Sequence, residues 1–343
     1  MKHTILVTGG AGYIGSHTIL ELLEKTDFDV ISIDNYSNSS SETYQRIKKI
    51  TQKEVEHYNF DLCDKEALFN LLDSKRITGI IHFAAFKSVP ESVENPYKYY
   101  SNNLSSLLNI IEGCNQFSIP NLIFSSSCSV YGNIDKMPVS EISELNEAES
   151  PYAHTKQIGE AILEQYSKTA ATFQTVALRY FNPVGAHKSG LIGESPVNPP
   201  TSLIPIITQT AIGIRPSMQV HGADYPTRDG SCIRDYIHVS DIGEAHVKAL
   251  NYLINGESDL KYDVINLGTG SGVTVFEAIE SFKENTGVNL NYNVGPRRNG
   301  DVTAIYSDTT KSEKLLNWKA TTPLSEMVTS AWKWQQELNI NNN

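Results

Sequence analysis

Long apolar runs are missing from this sequence. No stretch approaches the roughly 20 residues that a membrane-crossing helix needs, so no span is expected. Cysteine is nearly missing too. The four present, Cys63, Cys114, Cys128 and Cys232, lie far apart with no CxxC spacing. Neither a disulfide framework nor a structural zinc is expected, and the reading is a reducing cytoplasm. Positive charge falls short of negative, with 28 Lys and Arg against 39 Asp and Glu, a net charge of −11 and a pI near 5.3. Such a surface repels nucleic acid and anionic membranes, so an anionic substrate needs a local cluster of arginines or amide donors. Residues Met1-Lys2-His3 run straight into an apolar strand, which leaves no room for a signal peptide. No internal repeat is present, and low complexity is confined to residues 37–41 and 341–343. Among the 9 histidines, His82, His154, His187, His238 and His246 fall in different segments without ligand spacing, so no metal is expected. His238 reads as an interior histidine with its hydrogen bonds satisfied.

What is there is an ordinary globular composition, 40% hydrophobic and 20% charged over 343 residues, enough for one large or two fused domains. Short β-branched runs alternate with helix-length amphipathic segments, the pattern of βα units on a buried parallel sheet. Strands are expected near residues 4–8, 30–34, 55–60, 79–83, 121–125 and 175–178. Helices are expected near 12–25, 65–73, 96–115 and 151–168. After Tyr180 the pattern loosens, and residues 190–200 read as a long loop. Helices near 203–212, 240–252, 273–285 and 324–337 then mix with short strands. The fold class is α/β: a Rossmann-type doubly wound parallel sheet with a smaller mixed α/β C-terminal lobe. The division falls near 180/181, with strands and helices free to cross back. Trp318, Trp332 and Trp334 are expected to pack the second lobe, and Asp235 and Asp241 read as cap or loop acids.

The first strand runs directly into Gly9-Gly10-Ala11-Gly12-Tyr13-Ile14-Gly15 and then into a helical pattern. Glycines at 9, 12 and 15 let a pyrophosphate approach backbone amides, and the helix N-terminus adds partial positive charge. Asp34 ends the next strand at the dinucleotide spacing, where an acid binds ribose hydroxyls and repels a 2′-phosphate, favouring NAD over NADP. A second glycine run, Gly268-Thr269-Gly270-Ser271-Gly272, lacks such an acid and reads as an ordinary turn.

Two Tyr-x-x-x-Lys pairs occur, Tyr44/Lys48 and Tyr152/Lys156. Tyr44 lies in a polar region and is expected on a solvated helix face. Tyr152 opens a helix just after Ser150-Pro151, with Lys156 on the same face. The preceding strand ends in Ser125-Ser126-Ser127, at the sheet edge where ligands bind in open α/β folds. A phenol titrates near 10, so use of Tyr152 as a base near neutrality requires a fall of roughly 3 units, about 4 kcal/mol. A Lys156 ammonium and a positive nicotinamide ring both favour phenolate, and Ser127 can share the proton. Ser125 and Ser126 either orient the site or simply end a core strand.

With these residues in view the chain resembles the UDP-glucose 4-epimerases of the extended short-chain dehydrogenase/reductases over nearly its whole length. The segments that carry the likeness are TGGAGYIGSH from Thr8, HFAAFK from His82, FSSSCSVYG from Phe124, SPYAHTK from Ser150, YFNPVGA from Tyr180, RDYIHV from Arg234 and PRRNGD from Pro296. The resemblance implies NAD-dependent inversion at C4 of a UDP-hexose, with Ser127, Tyr152 and Lys156 as catalytic residues. It puts Gly9, Gly12, Tyr13, Ile14, Gly15, Asp34, Asn35, Phe83 and Ala84 against the NAD. Asp61 and Leu62 would flank the adenine, Lys87 and Asn102 would lie along the cofactor, and Tyr180 near the nicotinamide. Asn182, Arg234 and Arg298 would hold the uridine diphosphate and Asp301 the uridine ribose, with Lys87, Ser202, Leu203, His221 and Ile305 completing the substrate site. A homodimer through the helices near 96–115 and 151–168 is also implied.

Departures from the family pattern bear on specificity. Related 4,6-dehydratases carry an Asp-Glu pair where Cys128-Ser129 stand here, so dehydratase chemistry is disfavoured. Thr201 and Ser202 replace an asparagine pair, and His221 replaces an aromatic that stacks on uracil. Ile305 occupies the position that governs 2-acetamido sugars and is intermediate in volume. UDP-glucose and UDP-galactose are the expected pair, with the N-acetylated, pentose and uronate sugars left open. A catalytically inactive NAD-sensing protein is the reading from another class, and the intact Ser127, Tyr152 and Lys156 argue against it.

Overall fold

Strands rich in Val, Ile and Leu and buried on both faces require helices above and below them, and the chain supplies both layers. The computed structural model describes residues 2–195, 199–258, 260–298 and 301–341. Parts of the expected 190–200 loop, the PRRNGD segment and the asparagine-rich tail (196–198, 299–300 and 342–343) lie outside the described residues.

The N-terminal run is β1 (Thr4–Thr8), α1 (Tyr13–Lys25), β2 (Asp29–Ile33), α2 (Glu42–Thr51), β3 (Glu56–Tyr58), α3 (Lys65–Ser74), β4 (Gly79–His82), α4 (Val89–Glu94), α5 (Pro96–Gln116), β5 (Asn121–Ser127), α6 (Pro151–Thr169) and β6 (Gln174–Tyr180). There follow β7 (Asn182–Val184), α7 (Leu203–Ala211), β8 (Met218–His221), β9 (Ile233–Arg234), β10 (Tyr236–His238), α8 (Val239–Ile254), β11 (Tyr262–Leu267), β12 (Val273–Thr274), α9 (Val275–Thr286), β13 (Tyr292–Gly295), β14 (Ala304–Ile305), α10 (Thr310–Leu316) and α11 (Leu324–Asn341).

Seven strands form one parallel sheet in the order β11-β6-β5-β4-β1-β2-β3. The order reverses between β1 and β4, so their carboxyl ends diverge and open a crevice. One apolar cluster joins a face of the sheet to α1, α2 and α8, and a second joins the other face to α3, α5 and α6. A third, smaller core lies among α7, α9 and α11 with β8 and β10. Residues past 180 serve both lobes. β11 lies along β6 in the main sheet, and α8 packs on α1, where a Cβ on Gly243 would come within 3.1 Å of the His17 carbonyl oxygen.

Three readings of single residues change. Tyr44 is buried rather than solvated: its hydroxyl is 2.7 Å from Ser32 Oγ and its ring stacks on His57 at 4.1 Å. α2 therefore turns an aromatic face to the sheet. Trp318 belongs to the main core with α1 and α8, not to the second lobe, whereas Trp332 does pack there against Phe282. Trp334 reaches across: its indole N–H donates to the Glu194 carbonyl at 2.8 Å, and the Arg46 guanidinium lies 5.0 Å over its ring.

Candidate active site

The glycine turn is where β1 meets α1. Gly9 has a φ of 70°, and a Cβ there would stand 2.8 Å from the Ala84 amide nitrogen. At Gly15 a Cβ would collide with the Gly9 carbonyl and come within 2.9 Å of Gly10 Cα. Gly12 caps α1 without any side-chain hydrogen bond, so the first-turn amides of Tyr13, Ile14 and Gly15 are left for an anion. This is a cradle that side chains would fill, and it fits a pyrophosphate. Asp34 is held at the end of β2, its carboxyl accepting from the amides of Ala11 at 3.0 Å and Tyr36 at 2.9 Å and from Ser39 Oγ at 2.7 Å. Asn35 donates to Asp61 at 2.9 Å, which ties the two loops that would flank a nucleoside.

The tyrosine–lysine pair is set by how α6 starts. Ser150 caps it by accepting from the Ala153 amide at 3.2 Å, and Pro151 takes the first position. That stop places Tyr152 and Lys156 against the end of β5. Lys156 Nζ donates to the Ser125 carbonyl at 2.6 Å and to Ser125 Oγ at 3.3 Å, and lies 6.0 Å from the centre of the Tyr152 ring. Ser125, a buried residue of β5, thus holds Lys156 in place. Burial brings Lys156 down to about 8, with Glu160, one turn along α6, acting in the opposite direction. Burial pushes the Tyr152 phenol up to about 12, against a hydrogen bond from Ser127. Enclosure of the phenol thus works against the fall that base catalysis requires, and the positive charge expected to offset it is that of Lys156 and of a nicotinamide ring.

A network that sequence reasoning missed stands behind the pair. Arg179 makes a bidentate bond to Glu160 at 2.9 and 2.6 Å, and Ser126 Oγ donates to the same carboxylate at 2.5 Å, all of it buried. The one available signal was the four-residue spacing of Lys156 and Glu160.

Across the cleft, Arg234 on β9 is held by the Ile233 and Val302 carbonyls, both at 2.9 Å, and by Asp301 at 3.4 Å. Arg298 binds the same Asp301 at 2.8 Å and is half-exposed. Both guanidinium groups thus meet at the Asp301 carboxylate. Asn182 lines the cleft with its side-chain Oδ1 buried and without a partner. Ser202 stands at the start of α7 without a side-chain capping bond, His221 ends β8, and Ile305 sits buried among Val130, Tyr131 and Phe181.

All of the expected cofactor and substrate residues, from Gly9 to Ile305, line one cleft of about 2090 Å³ between the lobes. Two have their tips engaged by other side chains, Lys87 by one that lines the same cleft. Tyr180 has its hydroxyl 2.7 Å from His246 Nε2, and Lys87 pairs with Glu194 at 3.2 Å. Asn102 donates to Asn103 at 2.9 Å. Among the described residues no group of three or more His, Cys, Asp or Glu could hold a metal ion.

The acids and the second glycine run gain partners distant in the chain. Asp241 accepts from Thr322 rather than capping its own helix. Asp235 is fully buried, and the Thr269 and Gly270 amides of the second glycine run close on its carboxyl group.

The model of the family described as GDP-mannose 4,6 dehydratase matches residues 6–331. The UDP-glucose 4-epimerase of Erwinia amylovora is 43% identical over 334 residues, covering 97% of this chain and 98% of that protein. Among solved structures, a UDP-glucose 4-epimerase from Stenotrophomonas maltophila with bound NAD and formylated UDP-arabinopyranose superposes with a TM-score of 0.96 at 40% identity, covering 99% of each chain. One from Bifidobacterium longum in complex with NAD+ and UDP gives 0.93 at 41% identity, covering 99% of this chain and all of that one. The chain therefore belongs to the extended short-chain dehydrogenase/reductase family that this model describes, and within it to the UDP-glucose 4-epimerases.

Proposed function

We infer that the protein interconverts UDP-glucose and UDP-galactose by NAD-dependent inversion at C4. The observation that carries this is that Tyr152 and Lys156 line one cleft together with the glycine turn and the Arg234/Arg298 pair. A dinucleotide laid along the turn and a UDP-sugar held by the arginines bring their reactive ends to Tyr152. NAD held along the glycine turn would supply the acceptor for the C4 hydride and its return to the other face of the sugar. Tyr152 takes the proton of the 4-hydroxyl and gives it back, and Ser127 hydrogen-bonds the same oxygen. Lys156, anchored on Ser125, keeps a positive charge near the phenol. Arg234, Arg298 and Asn182 hold the diphosphate while the keto sugar turns over, and Asp301 holds the uridine ribose.

The first 180 residues, with α8 and β11, carry the NAD; most of the rest binds the UDP-sugar. α5 and α6 pair with their copies in a homodimer, a reading supported by Tyr97 and Leu108, 80% and 49% exposed on α5. The four free thiols, Cys63 exposed among them, suit a reducing cytoplasm.

The test is to incubate the purified protein, without added reductant, with UDP-galactose and separately with UDP-GalNAc, and to chromatograph the products. Conversion of UDP-galactose alone makes Ile305 the closing wall of the pocket. Conversion of both makes the enzyme dual in specificity. Full activity in a Tyr152→Phe variant would overturn the catalytic assignment.

A further inference from the structure

Asp235 stands between β9 and β10 with no exposed surface. Its Oδ1 accepts from the Thr269 amide at 2.8 Å and from Thr269 Oγ1 at 2.6 Å. Its Oδ2 accepts from the Ser307 amide at 3.0 Å, from Ser307 Oγ at 2.7 Å and from the Gly270 amide at 3.2 Å. Five donors meet one side chain, and none of them is a cation. A Cβ on Gly268 would lie 2.9 Å from Asp235 Cγ, so the glycine run is closed around this group. What the first glycine turn offers to a ligand, the second offers to a residue of the chain itself.

The geometry of this hub reaches the substrate side of the cleft by three routes. The main-chain carbonyl of Asp235 accepts from the Asn182 amide at 2.9 Å, fixing the residue whose Oδ1 is buried without a partner. Arg234 is its immediate neighbour on β9. Ser307 follows β14, which pairs with β9 so that Ile305 stands opposite Arg234. A shift of β14 against β9 would therefore move the diphosphate-binding guanidinium and the sugar-pocket wall relative to each other. The β14–β9 ladder is itself only two residues long, and β12 lies on the far side of β9, so neither ladder holds this register alone.

We propose that Asp235 is a positioning residue for the UDP-sugar: it locks β9, β14 and the 268–270 loop together and so sets where Arg234, Asn182 and Ile305 stand. The proposal rests on the reading of the cleft as a UDP-sugar site. It does not involve the glycine turn of β1, so NAD binding is outside its reach. Replacing one acceptor oxygen by an amide N–H₂ leaves buried donors facing a donor, and a tenfold effect on UDP binding corresponds to about 1.4 kcal/mol.

The experiment measures UDP affinity by calorimetry and the KM and kcat for UDP-galactose in the NAD-loaded protein, for the parent chain, Asp235→Asn, Thr269→Val and Thr269→Ser. Asp235→Asn should weaken UDP binding and raise KM by about tenfold, with kcat changed by less than about threefold and NAD content per chain unchanged. Thr269→Val should show a smaller shift of the same kind, and Thr269→Ser, which keeps the hydroxyl, should restore parent values. Should Asp235→Asn not fold, the two Thr269 variants decide the matter. Equal UDP affinity in the parent and Thr269→Val, or a fall in kcat with KM unchanged, would overturn the proposal. A parent chain that binds UDP but leaves UDP-galactose unchanged would instead remove the epimerase reading, while the UDP affinities still judge Asp235.

Discussion

Lys156 keeps an ammonium where the surroundings resist it. Its ordinary value of 10.5 falls to about 8 on burial, so between those two values the unfolded chain holds a proton that the folded chain has released. Stability therefore rises with pH across this window. Below about pH 8 the folded protein carries a buried charge at a cost of about 3 kcal/mol, and above about 10.5 that cost is gone. Lys156→Met should be inactive yet more stable than the parent at pH 7 in urea unfolding, with the advantage shrinking by pH 10. An advantage independent of pH would refute the electrostatic account. At this scale the sequence was informative where chemistry is local. Gly9, Gly12, Gly15 and Asp34 follow from a turn and a spacing, and Tyr152 and Lys156 from a helix start. The direction of the Tyr152 shift was not legible. It depends on how completely the phenol is enclosed by residues distant in the chain, and periodicity does not report enclosure. Asp235 was hidden for the same reason, since its donors come from residues 34 to 72 positions away.

At the scale of elements, α5 and α6 show how one helix serves two masters. α6 turns Lys156 and Glu160 inward to the site, while α5 buries Tyr99, Leu107, Ile110 and Ile111 and leaves Tyr97 and Leu108 outside. Exposed aromatic and aliphatic side chains on a helix that already has a full core contact suit a partner helix. Leu108→Glu should convert the proposed dimer to a monomer in light scattering while leaving the far-UV spectrum unchanged. A parent chain that is already monomeric would remove the dimer reading. The long helices and the first six strands were legible because 3.6- and 2-residue periods run undisturbed through them. β7 to β10 and β12 to β14 were not placed individually, because two- to four-residue strands are too short to display a period.

For the whole molecule the decisive arrangement is that the cleft lies between lobes which the chain enters more than once. α8 and β11 leave the substrate lobe to pack on α1 and β6, and Trp318 follows them into the main core. Sequence order suggested a cut near residue 180, and composition gave no sign that residues 239–267 return. Only pairing between β6 and β11, across some 90 residues, reveals it. Residues 1–180 expressed alone should be insoluble or oligomeric, and adding residues 181–343 in trans should not restore UDP-galactose turnover. A soluble, monomeric fragment with native-like NAD binding would contradict this.

The return of β11 to the sheet also bears on how such a chain can change over generations. β11 covers the free edge of β6, and an uncovered edge invites pairing with other chains. A recombination event that exchanged everything after residue 180 for another substrate lobe would strip the sheet of its last strand. Altering single residues that line the cleft, such as Ile305 or Ser202, leaves that edge covered, and trading the lobe does not.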